Sequence, residues 1–168
     1  GTQWWMTKNL NYNTGNSLCY GNSQSNCDIF GRLYDWTTAM QACPTGWHLP
    51  SDAEWTTLTN YLGGQNIAGG KLKEADTTHW EFPNVGATNE VCFTALPGGY
   101  SSTTNFFFEL GSGAYFWSAA KKINTSLSLI QFIKSDSPYF SLGNIEPLNR
   151  FSVRCIKGEA TGQKELNQ

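Results

Sequence analysis

Charge is what this chain has least of. Lys, Arg, Asp and Glu make up 14% of its 168 residues, against about 25% in an average globular protein. Its 11 Lys and Arg face 13 Asp and Glu, a formal net charge of -2. That balance offers no basic stripe to a phosphate backbone and excludes nucleic acid as a partner. No apolar run reaches the roughly 18 residues of a spanning helix, so no membrane insertion is expected. None of the cysteines forms a CxxC or has a histidine at zinc-finger spacing, which argues against structural zinc. A Gly-x-Ser-x-Gly nucleophile elbow is missing too. Only His48 and His79 offer an imidazole.

What fills the chain instead is aromatic and neutral-polar. There are 7 Trp, 7 Tyr, 10 Phe and 17 Gly, too much apolar ring surface for disorder. The length suits one domain with its own core. A surface of Ser, Thr, Asn and Gly is common in extracellular domains that bind by stacking and neutral hydrogen bonds. Five cysteines, at 19, 27, 43, 92 and 155, predict two disulfides and one leftover thiol outside the cytosol. Cys19 and Cys27 bracket a polar stretch, residues 20–26, with no apolar face to hold it, so a local pair is the first expectation. Cys43 with Cys155 then ties the first helical region to the last strand. Chain-entropy arguments give about 2.5 kcal/mol for the small loop and nearly 5 for the large one. Cys92 is left free and is expected as a small buried apolar residue. A start at Gly1 in a folded-looking segment predicts a chain trimmed of an export signal or lipid anchor.

Two helices are expected in the N-terminal half. One covers Thr37 to Ala42, between Asp35 and Pro44-Thr45-Gly46. The other opens with a capping box, Ser51-Asp52-Ala53-Glu54, places Trp55, Leu58 and Leu62 on one face, and stops at Gly63-Gly64. Beyond about Ala68 the apolar residues fall in strand-length runs: Phe93–Leu96, Ala114–Ala119, Leu127–Ile133, Tyr139–Leu142 and Phe151–Ile156. In the last, Phe151, Val153 and Cys155 share one face, with Ser152 and Arg154 on the polar one. The Leu127–Ile133 run changes parity between Leu129 and Ile130, which predicts a bulge or a strand covered on both sides. The fold class is α+β: two N-terminal helices packed on a loop-rich, mostly antiparallel sheet over residues 1–157. Residues 158–168 lose all apolar pattern and are expected to be a frayed tail or connector.

A series of segments then stands out in order: Cys19-Tyr20, Gly31-Arg32-Leu33-Tyr34-Asp35-Trp36, Ala42-Cys43-Pro44-Thr45-Gly46-Trp47-His48-Leu49-Pro50-Ser51, Glu54-Trp55, Ala95-Leu96-Pro97-Gly98-Gly99, Phe116-Trp117-Ser118 and Phe151-Ser152-Val153-Arg154-Cys155. Together they resemble the Fibrobacter succinogenes major paralogous domain family over nearly the whole chain. The resemblance implies a secreted or lipid-anchored bacterial surface protein with disulfide-bonded cysteines. More distantly, Leu49-Pro50-Ser51-x-x-Glu54-Trp55 is similar to formylglycine-generating-enzyme-type domains, which implies a C-type-lectin-like fold. Cys92 departs from the family, which carries glycine before Phe93, and so falls outside its disulfide scheme.

The enzymes of that wider group use a copper-binding cysteine pair on a late segment. Here that segment offers only Cys155, so the resemblance does not carry their chemistry over and no cofactor is expected. His48, between Trp47 and Leu49, reads as a buried structural residue. The calcium-binding segments of related lectins are unmatched by Glu146-Pro147-Leu148-Asn149 and Trp117-Ser118-Ala119, and no metal is expected. Trp36, Trp47, Trp55 and Trp117 read as core, whereas one of Trp4 and Trp5 should be exposed. The varied loops lie between 115 and 150: Lys121 to Thr125, Ser135 to Tyr139, and Asn144 to Arg150, with Ile145 and Leu148 expected exposed. The expected ligand-binding set is Tyr115, Trp117, Lys121, Lys122, Asn124, Asp136, Tyr139, Asn144, Glu146, Asn149 and Arg150, presented to a glycan or a surface protein. A lectin-like core with a varied segment ahead of its C-terminus looks like the targets of diversity-generating retroelements. Two other readings compete with this non-catalytic recognition domain. One is a tip or stalk module of a surface assembly; the other is an enzyme related to the formylglycine-generating enzymes.

Overall fold

The computed structural model describes residues 1–158; the stretch expected as a frayed tail, 159–168, lies outside the described residues. Helices come first, strands second. A 3-10 turn at Tyr20–Asn22 leads into α1 (Gln24–Phe30), followed by α2 (Trp36–Ala42), α3 (Asp52–Tyr61) and α4 (Gln65–Leu72). Interleaved with them are the short strands β1 (Leu33–Tyr34) and β2 (Trp47–His48). Then come β3 (Gly98–Ser101), β4 (Phe107–Leu110), β5 (Gly113–Lys121), β6 (Ser128–Lys134), β7 (Ser141–Ile145), β8 (Phe151–Ser152) and β9 (Ile156–Lys157).

The helix count corrects the expectation of two. The polar stretch between Cys19 and Cys27 folds into the 3-10 turn and α1, closed by the expected Cys19–Cys27 bridge. α4 follows α3 almost directly. Gly63 and Gly64, both at φ 99°, end one helix and turn the chain into the next. The expected elements are sound where their signals are local. Asp35 caps α2 by accepting from Thr38 N at 2.8 Å. In the Ser51 box, Glu54 Oε2 accepts from Ser51 N at 2.8 Å while Ser51 Oγ accepts from Glu54 N at 3.3 Å.

Five strands form the main sheet in the order β1-β8-β5-β6-β7. All its pairs are antiparallel except β5 with β8. The sheet is covered on both faces, so β5 splits its side chains between two cores. Ala114 and Phe116 join Trp55, Leu58, Leu62, Trp80 and Phe140 on one side. Tyr115 and Trp117 join Tyr34, Leu49, Phe151 and Val153 on the other. The parity change in β6 has the same cause: Ile133 belongs to the first core and Ile130 to the second. The register irregularity sits in β5, between Trp117 and Lys121.

Three strand expectations need correction. Phe93–Leu96 makes only an isolated bridge, Lys73 with Ala95. Tyr139–Leu142 is shifted, β7 running from Ser141 to Ile145. Phe151–Ile156 divides into β8 and β9, and its supposed polar face is interior: Ser152 and Arg154 are both buried. The reason is the N-terminal segment, which covers that stretch through Met6 N to Cys155 O at 3.1 Å and Leu10 N to Val153 O at 2.9 Å. Cys43 and Cys155 are bridged across 112 residues. Cys92 is free but exposed, not buried, in a segment with left-handed backbone, φ 54°.

Candidate functional site

One end of the main sheet gathers the largest share of the expected ligand-binding residues. The β5–β6 turn closes on itself: Lys122 N donates to Leu127 O at 2.9 Å, and Thr125 Oγ1 donates to Lys122 O at 3.0 Å. Asn124 takes the left-handed conformation the tip requires, φ 60°, which asparagine adopts more readily than most residues. Lys121 pairs with Ser128 in β6, and Ser128 pairs in turn with Ile145 at the end of β7. The turn and the segment after β7 therefore lie side by side. α2 joins them. Trp36 N donates to Pro147 O at 2.9 Å, its Nε1 donates to Ser118 O at 2.9 Å, and Lys121 Nζ sits 4.5 Å from its ring centroid. Lys121, Lys122, Asn124, Asn144 and Glu146 all face solvent here. Two apolar side chains do as well, Ile123 at 84% and Leu148 at 66% exposure.

The remaining expected residues do not join this face. Asp136 and Tyr139 are exposed but follow β6, whereas the 121–127 turn precedes it. Seven residues of strand, roughly 20 Å or more at about 3.4 Å each, separate the two ends. Trp117 is wholly buried, its Nε1 donating to Tyr34 O at 2.6 Å. Asn149 is buried as well and closes a turn, both its N and its Nδ2 donating to Glu146 O at 3.1 Å. Arg150 reaches the β3–β4 hairpin, where its Nη1 donates to Asn105 Oδ1 at 2.9 Å. Ile145, expected exposed, packs against the second core.

Tyr115 is likewise an interior residue, and it has a partner that sequence reasoning missed. Its hydroxyl donates to Glu109 Oε2, which also accepts from Lys134 Nζ. Burial alone would push the Glu109 carboxyl up, but the Lys134 and Tyr115 hydrogen bonds bring it below its ordinary range. Burial, and then the adjacent carboxylate, raise the Tyr115 phenol. Glu109 stands at φ 62°. No local pattern announces that pairing, because β4 pairs with β3 apart from the main sheet and Glu109 meets Lys134 of β6 only in the folded protein.

Neither imidazole is set up as a base beside a nucleophile. His48 has both nitrogens engaged, Nε2 with Glu54 Oε1 at 2.8 Å and Nδ1 with Gly158 O at 2.9 Å. His79 Nδ1 lies 2.9 Å from each Glu74 oxygen, with its ring edge on Phe30. Among the described residues, no group of three or more His, Cys, Asp or Glu side chains is placed to hold a metal ion. Among them, too, no helix is long and apolar enough to cross a membrane. Sequence reading also missed a polar cleft beside α3, built around Gln131, whose one legible sign is an amide inside the apolar run Leu129–Ile133.

The model of one protein family, the Fibrobacter succinogenes major domain, matches residues 1–157. No curated protein and no solved structure matches the chain. The chain belongs to that family.

Proposed function

We propose that this member of the Fibrobacter succinogenes major domain family is a non-catalytic recognition domain of a bacterial cell-surface protein, with a C-type-lectin-like fold. Its ligand is a glycan or a surface protein, met at the sheet end formed by the 121–127 turn and the segment from Asn144 to Leu148. The observation that carries this is the chemistry of that end. Ile123 and Leu148 stand in water beside lysines, asparagines and a glutamate, on a turn fixed by its own hydrogen bonds. A rigid scaffold that spends exposed apolar surface on loop tips is the usual layout of a binding face. The two disulfides support an oxidising, extracytoplasmic setting. A varied segment at this position would also suit a target of a diversity-generating retroelement.

Few charge pairs contribute, so binding by this face tolerates salt. Arrayed glycans and arrayed surface proteins probed with wild type and with the combined variant Lys122→Ala, Asn144→Ala, Leu148→Ser test the reading. Signals on wild type that persist at 0.5 M salt (roughly a 4 Å screening length) and vanish in the variant are the expected result. Equal, negligible binding by both proteins would sink it. The tip or stalk alternative rests on the same apolar pair, and it requires self-association that Ile123→Ser abolishes in light scattering.

A further inference from the structure

A sheet in water must close its edges or offer them, because an edge strand presents a row of unpaired N–H and C=O groups. The main sheet ends in β1 on one side and β7 on the other. The β1 edge is closed: Leu18 N donates to Leu33 O and Leu33 N donates to Leu18 O, both at 2.9 Å. β4, which pairs only with β3, is guarded differently. Glu109 puts a charge in its middle and breaks the extended run with left-handed backbone, φ 62°.

β7 has neither protection. It pairs with β6 at five consecutive positions, Ser141 to Ile145, without a register shift. Among the described residues no other backbone group hydrogen-bonds to it. Its sequence, Ser141-Leu142-Gly143-Asn144-Ile145, holds no charge and no proline, the residues that commonly blunt an edge. Leu142 and Asn144, which share one face, are exposed, Leu142 at 49%. A regular edge roughly 17 Å long, at about 3.4 Å per residue, is thus left open.

The partner that suits this edge follows from its own sequence. Antiparallel pairing with β7 of a second copy, about a two-fold axis through Gly143, sets Ser141 opposite Ile145, Leu142 opposite Asn144 and Gly143 opposite itself. A residue on a two-fold axis meets its own copy, so a charge there repels itself and a branched side chain collides; glycine does neither. No other opposed pair brings like charges together, and the two Leu142 side chains become diagonal neighbours at about 7–8 Å, within reach of one another. A net charge of -2 sets up little repulsion between whole copies. We infer that β7 is a self-recognition edge, through which two copies of this chain pair antiparallel over Ser141–Ile145 and join their main sheets into one. This goes beyond the recognition reading and does not rest on it. An interface built on one short strand falls below the ~1,200 Å² of a stable complex, so the association is weak and reversible.

The test is sedimentation equilibrium from about 20 μM to about 1 mM, the range in which so small an interface associates. Cys92→Ser is the reference protein, so that the exposed thiol forms no covalent dimers. Its average mass is expected to climb from 18.6 kDa toward twice that value, with concentration-dependent amide shifts centred on residues 141–145. Two variants of it, Leu142→Lys with Asn144→Lys and Leu142→Glu with Asn144→Glu, each set like charges opposite one another at two places across the axis. Both side chains already face water, so the variants fold, which unchanged thermal melts verify. Each alone should associate at least about tenfold more weakly than the reference, and their equimolar mixture, with opposite charges now paired, should associate again. A reference protein that stays monomeric throughout overturns the inference. So does a lysine variant that associates as the reference does, or a mixture that stays monomeric. Concentration-dependent shifts confined to residues 121–126 would place the self-contact at the other loops and overturn it too.

Discussion

Arg154 shows how a charge can be spent inside a charge-poor protein. It is wholly buried and has no carboxylate partner among the described residues. Asn9 Oδ1 accepts from its Nη2 at 2.7 Å and its Nε at 3.2 Å, Met6 O accepts from Nη1 at 3.0 Å, and Phe93 O accepts from Nη1 as well. The guanidinium also lies 4.1 Å from the Phe93 ring centroid. It therefore ties the N-terminal segment, the 93–94 segment and the chain's last strands to one plane. From sequence, Arg154 was recognisable as part of a family segment, but alternation assigned it to a solvent face. Its burial depends on the N-terminal segment lying over it, a contact of sequence separation 148 that no local pattern carries. Arg154→Lys keeps the charge and loses the planar fork and the stacking. We expect it to lower stability by about 3 kcal/mol or more, as for a buried charge stripped of partners. Urea unfolding reads this directly, and a midpoint shift below a third of that would show that the fork is dispensable.

Among elements, α3 and α4 make an instructive pair. α3 was legible from its capping box and its Trp55-Leu58-Leu62 face, all within one helix. α4 was not, because Gly69 and Gly70 read as loop residues by their low helix propensity. They are helical because other backbone comes too close for a side chain. A Cβ on Gly69 would meet Tyr139 O at 2.2 Å, and one on Gly70 would meet Gly86 O at 2.4 Å. Gly70 N donates to Pro138 O at 2.9 Å and Thr88 N donates to Gly70 O at 3.1 Å, so the glycines dock α4 against two loops at once. In a solvent-facing helix Gly→Ala gains roughly 0.5–1 kcal/mol. Here Gly69→Ala and Gly70→Ala should each destabilise, by about 2–3 kcal/mol or more, since the obstacle is backbone. Thermal melts of the two variants decide it, and an unchanged or raised midpoint would mean the loops yield freely. The same logic explains the hidden α1: a 7-residue helix is too short to announce itself or to persist alone, and the Cys19–Cys27 bridge fastens it.

For the whole molecule, what the sequence disclosed was the class and the fastenings: α+β, two disulfides with their pairing, and an aromatic interior. The parity change in the Leu127–Ile133 run allowed a strand covered on both sides; what the sequence did not disclose was that the whole sheet is covered on both faces, which draws Tyr115, expected among the ligand-binding residues, inside and buries two cations. Lys73 is the second of these, wholly buried and donating to Lys134 O at 3.1 Å and Ser137 O at 3.2 Å. Burial lowers its ammonium to about 8 from 10.5 against a pull upward from Asp136, and burial lowers Arg154 to about 9. Burial also raises the phenols of Tyr34 and Tyr115 above 10.0. Between pH 8 and 10 the unfolded chain thus holds more protons than the native one, so stability climbs with pH. Above about 10 the two tyrosines keep protons that the unfolded chain releases, and the slope reverses. Each group contributes at most about 1.4 kcal/mol per pH unit, and the carbonyls around Lys73 soften its share. Unfolding free energy measured in urea from pH 7 to 11 should therefore pass through a maximum near pH 10. The Cys92→Ser background keeps an exposed thiolate from scrambling the disulfides. In Lys73→Met the rise should begin only near pH 9, where Arg154 starts to titrate. A wild-type curve that is flat or falling from pH 8 to 10 would mean that neither cation is desolvated in solution, and with it would go the account of a sheet closed on both sides.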